Sequence, residues 1–284
     1  MSSAPGIVGV IGGGTMGAGI AQSFATVGSS VVVVESGAEA AAAALDRIAT
    51  GLQRAAERGK LTEPAEAVLG RVETVPSVDG LPADADLVVE AVPEDPALKA
   101  RLLTAAEQAV GERTVLASNT SSLSVGELAA ALTRPGRFLG MHFFNPVPAS
   151  ALVELVVAPD TADETLKAAL DWTHALGKQD VVVRDSPGFA SSRLGLALGL
   201  EAIRMVEEGV AEPAAIDAAM TLGYKHPMGP LRLTDLVGLD VRLAIAEYLH
   251  ATLGERFAPP RLLREKVARG ELGRKTGQGF YPWP

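Results

Sequence analysis

His142 and Glu154 are the two residues whose types and setting could move a proton between them and a substrate. Glu154 interrupts an apolar run, Ala151-Leu-Val-Glu-Leu-Val-Val-Ala158, that otherwise reads as a buried strand. A lone buried carboxylate is costly and tends to neutralise, but an imidazolium beside it keeps it ionised. If neighbouring strands bring the pair together, the product is an oriented, basic imidazole. Such a group can take the proton of a hydroxyl as hydride leaves the same carbon for a redox cofactor. Pattern alone leaves a blander arrangement open, with Glu154 facing solvent on an edge strand and His142 serving structure. The other histidines have ordinary settings: His174 near a helix end, His250 on an amphipathic helix and His226 in a turn.

A second constellation points to the cofactor. Gly12, Gly13, Gly14, Thr15, Met16 and Gly17 follow the apolar run Ile7–Ile11 and open a helical pattern. In a G-x-G-x-x-G turn the first glycine permits the tight bend. The second lets backbone approach a pyrophosphate, and the third lets the helix sit close on the strand. Glu35 ends the next strand about 20 residues on, as the dinucleotide fingerprint requires. A carboxylate there accepts from the adenosine ribose hydroxyls and repels a 2′-phosphate. No Arg or Lys lies between Glu35 and Arg47 to neutralise that phosphate, so the expected cofactor is NAD rather than NADP.

Strand-like segments at Ser30–Glu35, Leu87–Ala91, Thr114–Ser118, Arg137–Phe143, Ala151–Val157 and Asp180–Arg184 follow the first. They alternate with helical patterns at Met16–Val27, Ala38–Arg58, Pro96–Val110 and Asp163–Leu176. Ser124-x-x-Glu127 and Thr161-x-x-Glu164 have the form of capping boxes. The alternation predicts an α/β fold, a Rossmann-like, doubly wound, mostly parallel sheet. Past the Asp185-Ser-Pro-Gly188 corner only helices are predicted: Phe189–Glu208, Pro213–Leu222, Thr234–Leu253 and Pro259–Ala268. The boundary is therefore placed at 184/185. Residues 1–184 form an NAD-binding domain with a helical insertion after strand two; 185–284 form a smaller all-helical domain.

A 284-residue chain, 48% hydrophobic, has ample material for a core. Its net charge of −9 and lack of long basic clusters argue against a nucleic-acid binder. Without cysteine it has no disulfides, no thiolate nucleophile and no sulfur-bound zinc, and no metal site is expected. The first basic residue is Arg47, which does not suit a signal or transit peptide, and no apolar run suits a membrane span. A bacterial-type cytoplasmic setting is the expectation.

Five motifs in order make the chain resemble the L-3-hydroxyacyl-CoA dehydrogenase family, 3-hydroxybutyryl-CoA dehydrogenase type. They are Val10–Ala21 around the glycines, Ser118-Asn-Thr-Ser-Ser-Leu123, His142-Phe-Phe-Asn-Pro-Val-Pro148, His226-Pro-Met-Gly-Pro-Leu231 and Gly273-Arg-Lys-Thr-Gly-Gln-Gly-Phe-Tyr281. The resemblance implies that His142 is the acid/base oriented by Glu154, and that the Ser121 hydroxyl bonds the substrate oxygen. It places Glu94, Lys99, Ser121, Asn145 and Lys275 near the nicotinamide half of NAD. Read without it, Lys99 and Lys275 would be solvated surface charges. Arg54 and Arg58, four apart on one helix face with Lys60 nearby, match family lysines, which favours coenzyme A phosphates over a merely solvated face.

One position departs from the family pattern. Where the family has Asn before the Arg of the Pro-Gly-Phe segment, this chain has Ser192, whose hydroxyl cannot donate and accept at the same two points as a carboxamide. Ser192 is thus expected to tune catalysis. The implied reaction is NAD-dependent oxidation of a short (S)-3-hydroxyacyl-CoA thioester, and its reverse, by a homodimer whose helical domain contributes to the substrate cleft. Two alternatives stay open: a dehydrogenase of a free hydroxy or sugar acid, and a non-catalytic NAD-binding relative. A β-hydroxyacid dehydrogenase with a catalytic lysine is disfavoured, because Phe189–Glu208 contains arginines but no lysine.

Overall fold

The computed structural model describes residues 3–284. It divides after Asp185 into two compact units. The first contains β1 (Ile7–Ile11), α1 (Thr15–Thr26), β2 (Ser30–Val34), α2 (Ala38–Glu57), α3 (Ala65–Leu69), β3 (Val72–Val75) and β4 (Leu87–Glu90). It continues through α4 (Pro96–Ala109), β5 (Val115–Ser118), α5 (Val125–Ala129), β6 (Phe138–Phe143), β7 (Leu152–Val157), α6 (Asp163–Ala175) and β8 (Gln179–Arg184).

The strands form one eight-stranded sheet in the order β3-β2-β1-β4-β5-β6-β7-β8. Every pairing is parallel except β6 with β7. Chain order reverses between β1 and β4, and such a switch point opens a crevice at the carboxyl ends of the strands. The β-branched runs of β1 and β2 are buried, as central parallel strands must be. Val8, Val10, Val31 and Val33 share a core with Ile20 and Phe24 of α1 and Ile48 and Leu52 of α2. Phe24 meets Phe143 edge-on, at 6.4 Å between ring centroids.

Two elements of this unit escape the sequence patterns. Val72–Val75 is only four residues long and half-exposed at the sheet edge, so it lacks the apolar run that marks the other strands. Ala65–Leu69 is a single short helix with one buried residue, Val68. The two capping boxes also part company. Ser124 accepts from Glu127 N at 3.1 Å as expected. Thr161 does not cap α6, whose N-cap is Ala162. Its hydroxyl instead donates to Phe138 O (2.8 Å) and accepts from Ala158 N (3.1 Å), bonding the loop before the helix.

The second unit is helical: α7 (Ser191–Glu207), α8 (Pro213–Ala218), α9 (Pro230–Val237), α10 (Leu239–Leu253) and α11 (Arg261–Ala268). The single helix expected at Thr234–Leu253 is two helices. Gly238 has φ 104°, a conformation that leaves the helical path, and α9 begins earlier at Pro230. The segment expected as Pro213–Leu222 is α-helical to Ala218 and continues as a π turn, Ala219–Gly223. Among the described residues no helix is long and apolar enough to cross a membrane.

Two buried aspartates organise this unit. Asp217 accepts from Leu231 N and Arg232 N at 2.8 and 2.9 Å, satisfying first-turn donors of α9 that have no intrahelical partner. The Tyr281 hydroxyl also donates to it at 2.7 Å, and burial with that carboxylate pushes the phenol upward. Asp235, 1% exposed, accepts from Phe280 N, Tyr281 N and the Trp283 indole at 2.8–2.9 Å, pinning the C-terminal segment to α9. Replacing Asp235 with Ala strands those donors, so Asp235→Ala is expected to lose about 3 kcal/mol of stability in chemical denaturation. A loss below about 1 kcal/mol, the worth of one ordinary hydrogen bond, would show that the segment is held some other way.

Candidate active site

The turn leaving β1 is built around backbone clearances. Gly12 has φ 96° and donates to Val34 O at 3.0 Å. A Cβ on Gly17 would lie 1.8 Å from Gly12 O, so only glycine lets α1 start this close to the strand. Gly13 is equally confined, 2.4 Å from the Ala44 Cβ on α2. Gly14, the exposed N-cap of α1, differs: it has no side-chain cap, and a Cβ there would meet nothing within 4 Å. The first N–H groups of α1 thus face open space at its positive end, with Thr15 exposed and Met16 packed on the core. This fits a dinucleotide pyrophosphate.

Glu35 lies immediately after β2, and its Oε1 accepts from Gly13 N at 2.5 Å. That bond fixes the carboxylate at the rim of the turn, where its other oxygen can accept from a ribose hydroxyl. Arg47 of α2 reaches the same residue through its carbonyl, donating to Gly13 O at 3.3 Å. Sequence spacing did not reveal this contact, since Arg47 lies 34 residues from Gly13.

The opening between α1, α2 and the loop after β6 is a cavity of about 460 Å³. Thr15, Gln22, Arg47, Arg54 and Asn145 line it, so residues assigned to cofactor and to substrate meet there. Arg58, the C-cap of α2, and Lys60 are exposed beyond it. Lys178, buried after α6, donates to Val147 O and Ser150 O at 2.6 and 2.5 Å, holding the loop that carries Asn145. Burial holds its ammonium below the ordinary lysine range. Nothing in the local pattern around Lys178 marks it for this task.

His142 and Glu154 face one another. They are directly opposed in the antiparallel β6–β7 pair, with Nδ1 3.1 Å from Oε2. His142 is 5% exposed and Glu154 1%, and β8 covers the outer side of β7, so the edge-strand alternative is excluded. An ionised carboxylate only accepts, so pairing with the charged form of Glu154 requires the ring proton on Nδ1 and leaves the lone pair on Nε2. Phe144 lies against the imidazole at 4.4 Å between ring centroids. Phe143 N donates to Asn119 Oδ1 at 2.9 Å, which joins the histidine strand to the turn containing Ser121.

That turn is held from its other side by Glu94, whose Oε1 accepts from Thr120 Oγ1 (2.5 Å) and Ser121 N (2.9 Å). Glu94 in turn lies 3.2 Å from Lys99 Nζ. Lys99 is no surface charge: it is 1% exposed and bonded at 2.7 Å to Glu90, a wholly buried carboxylate that the sequence reading passed over. A strand-end glutamate among apolar residues was the available signal. In the second unit, Ser192 is half-buried in the first turn of α7, and Lys275 is half-exposed and paired with Asp240 at 2.5 Å.

Comparison with known proteins agrees in both units. Residues 7–186 match the family model for the 3-hydroxyacyl-CoA dehydrogenase NAD binding domain, and 188–283 match that of its C-terminal domain. A probable 3-hydroxybutyryl-CoA dehydrogenase of Deinococcus radiodurans is 46% identical over 97% of this chain and 99% of its own length. The mitochondrial hydroxyacyl-coenzyme A dehydrogenase of Homo sapiens is 41% identical over 96% of this chain and 90% of its own. The crystal structure of (S)-3-hydroxybutyryl-CoA dehydrogenase from Ralstonia eutropha superposes with a TM-score of 0.93 at 43% identity, covering 99% of this chain and all of that one.

The two glycine environments separate cofactor contact from folding. Gly14→Ala should leave the melting temperature unchanged while raising the Kd for NADH about tenfold, a loss of about 1.4 kcal/mol, because its methyl group enters the open space. Gly17→Ala should lower the melting temperature as well. Unchanged NADH affinity in Gly14→Ala would mean the cofactor does not approach that backbone.

Proposed function

The chain belongs to the 3-hydroxyacyl-CoA dehydrogenase family and is an NAD-dependent oxidoreductase; from that premise we propose a division of labour among its residues. The substrate is a short-chain (S)-3-hydroxyacyl-CoA, 3-hydroxybutyryl-CoA in the first instance. The full-length similarity to enzymes named for that thioester supports this choice. NAD, when bound, supplies the hydride acceptor for the oxidation.

The observation that carries the proposal is the buried His142–Glu154 pair. In the oxidising direction His142 Nε2 takes the hydroxyl proton as the 3-oxo group forms. Glu154 holds the ring's orientation through Nδ1 and stabilises the imidazolium that results. In reduction the same imidazolium returns the proton. Ser121, half-exposed on a turn whose backbone is fixed, donates to the substrate oxygen, and Ser192 adjusts rate and substrate range. Neither a free hydroxy acid nor a merely cofactor-binding role is needed to account for the residues.

Glu35 reads the adenosine ribose, selecting NAD over NADP, and Glu94, Asn145 and Lys275 serve the nicotinamide half. Arg54 and Arg58 hold coenzyme A phosphates; both are exposed cations at the C-terminal end of α2, and Arg54 borders the cavity that Asn145 shares. The active species is a homodimer in the cytoplasm. Leu194, Leu233, Val237 and Val241 support the dimer, being 38–71% exposed on α7, α9 and α10 of the helical unit.

Glu154→Gln nearly preserves shape and removes the charge. With acetoacetyl-CoA and NADH, kcat should fall about 100-fold while the fold and the NADH Kd stay close to wild type. A wild-type kcat would remove Glu154 from the mechanism.

A further inference from the structure

Glu90 closes β4, and its side chain is 0% exposed. Its partners fall into two arms. Oε2 accepts from Ser118 Oγ at 2.6 Å, and Ser118 Oγ in turn accepts from Thr120 N at 3.2 Å. Oε1 accepts from Val92 N at 2.7 Å and from Lys99 Nζ at 2.7 Å, and Lys99 leads on to Glu94. Glu94 then takes Thr120 Oγ1 and Ser121 N. Both arms therefore start on one carboxylate and end on the same two-residue step of the turn.

The chemistry of Lys99 sharpens this arrangement. An ammonium has three donors. Lys99 Nζ has three oxygen neighbours within the protein: Glu90 Oε1, Val92 O at 3.1 Å, and Glu94 Oε2. Its charge is thus shared between two carboxylates, and it links Glu90 to Glu94. A purely structural ion pair would need Glu90 and Lys99 alone, and buried pairs add little net stability over apolar residues of like size. Here the pair is extended through Ser118 to Thr120 and through Glu94 to Thr120 and Ser121. Thr120 itself accepts from Leu123 N at 3.0 Å, so the relay also sets the exit of the turn.

We propose that Glu90 is a positioning residue for Ser121, acting through Lys99–Glu94 on one side and Ser118–Thr120 on the other. This rests on the reading of Ser121 as the donor to the substrate oxygen. Asn119 ties the turn to the His142 strand, and the Glu90 relay ties it to β4 and β5. Between them they set the spacing of the serine hydroxyl and the imidazole. Misplacing a reacting group by 1 Å can cost on the order of 10²-fold in rate.

The test is a double-mutant cycle in the full-length enzyme, with kcat measured at saturating NADH and acetoacetyl-CoA. Glu90→Gln keeps the shape but removes the charge that pairs with Lys99, and either way round its amide replaces one accepting oxygen with a donor. It should lower kcat about tenfold or more, with a smaller change in KM for acetoacetyl-CoA. The decisive comparison is with Ser121→Ala: the double variant should be no slower than Ser121→Ala alone, because Glu90 has nothing left to position. Multiplying losses, or a wild-type kcat in Glu90→Gln, would overturn the proposal. If Glu90→Gln does not fold, Ser118→Ala, which leaves the Glu90–Lys99 pair in place, runs the same cycle to the same criteria. A wild-type kcat in Ser121→Ala would instead overturn the reading of Ser121, and the proposal with it.

Discussion

A carboxylate buried to 1% exposure beside an imidazole is the constraint on which the rest of the site depends. Burying a lone carboxylate is costly, and the imidazole opposite supplies Glu154 with a partner; in the proposed function that partner is the base. The pairing exists because the sheet reverses once. β7 runs antiparallel to β6, which sets residues 142 and 154 directly across from one another, and then β8 resumes the parallel course and seals β7 from solvent. The short connection between β6 and β7 is fixed by Lys178, a cation whose only hydrogen-bond acceptors in that loop are carbonyl oxygens. The same connection carries Asn145 to the cavity lined by Thr15 and Arg54. One topological reversal thus sets His142 opposite Glu154 on strands whose connection carries Asn145 to that cavity.

The unit contains a second buried carboxylate, at the end of β4, and the two are handled alike. Glu90 on β4 and Glu154 on β7 are both buried, and each is paired with a basic side chain rather than with solvent. Desolvated pairs of this kind contribute little net stability, while removing one member is costly. Their worth is directional. Each holds a group at the carboxyl end of a parallel strand, where an α/β sheet opens to ligands. The glycine turn after β1 completes the rim by clearance instead of charge: Gly17 allows the helix to close on the strand and Gly14 leaves room above it.

Much of this was legible in the sequence, for identifiable reasons. The β1 turn and Glu35 announce themselves through fixed spacing in a strand–turn–helix context. His142 and Glu154 could be named because a charge inside an apolar strand demands a partner. What the pattern could not supply was the choice between burial and an edge, since the presence and direction of β8 on the far side of β7 decide it. Read from residue type alone, without the family resemblance, Lys99 misleads for a related reason. A lysine in the first turns of α4 looks solvated until Glu90, nine residues earlier, is seen to be sealed beneath it. Arg47 and Lys178 were invisible because both act on carbonyl oxygens, which no side-chain pattern advertises. In the helical unit, Gly238 split one long apolar pattern into two helices, a turn of backbone conformation that a hydrophobic period does not register.

The central claim is that the Glu154 carboxylate dictates which nitrogen of His142 is basic, and imidazole nitrogen NMR reads that directly. In enzyme labelled with ¹⁵N-histidine, the His142 resonances are assigned by their loss in a His142→Gln variant. The neutral ring is expected to carry its proton on Nδ1, coupled to a downfield hydrogen-bonded proton, with Nε2 unprotonated. A neutral ring protonated on Nε2 would contradict the account, because the nitrogen meant to accept the substrate proton would already hold one.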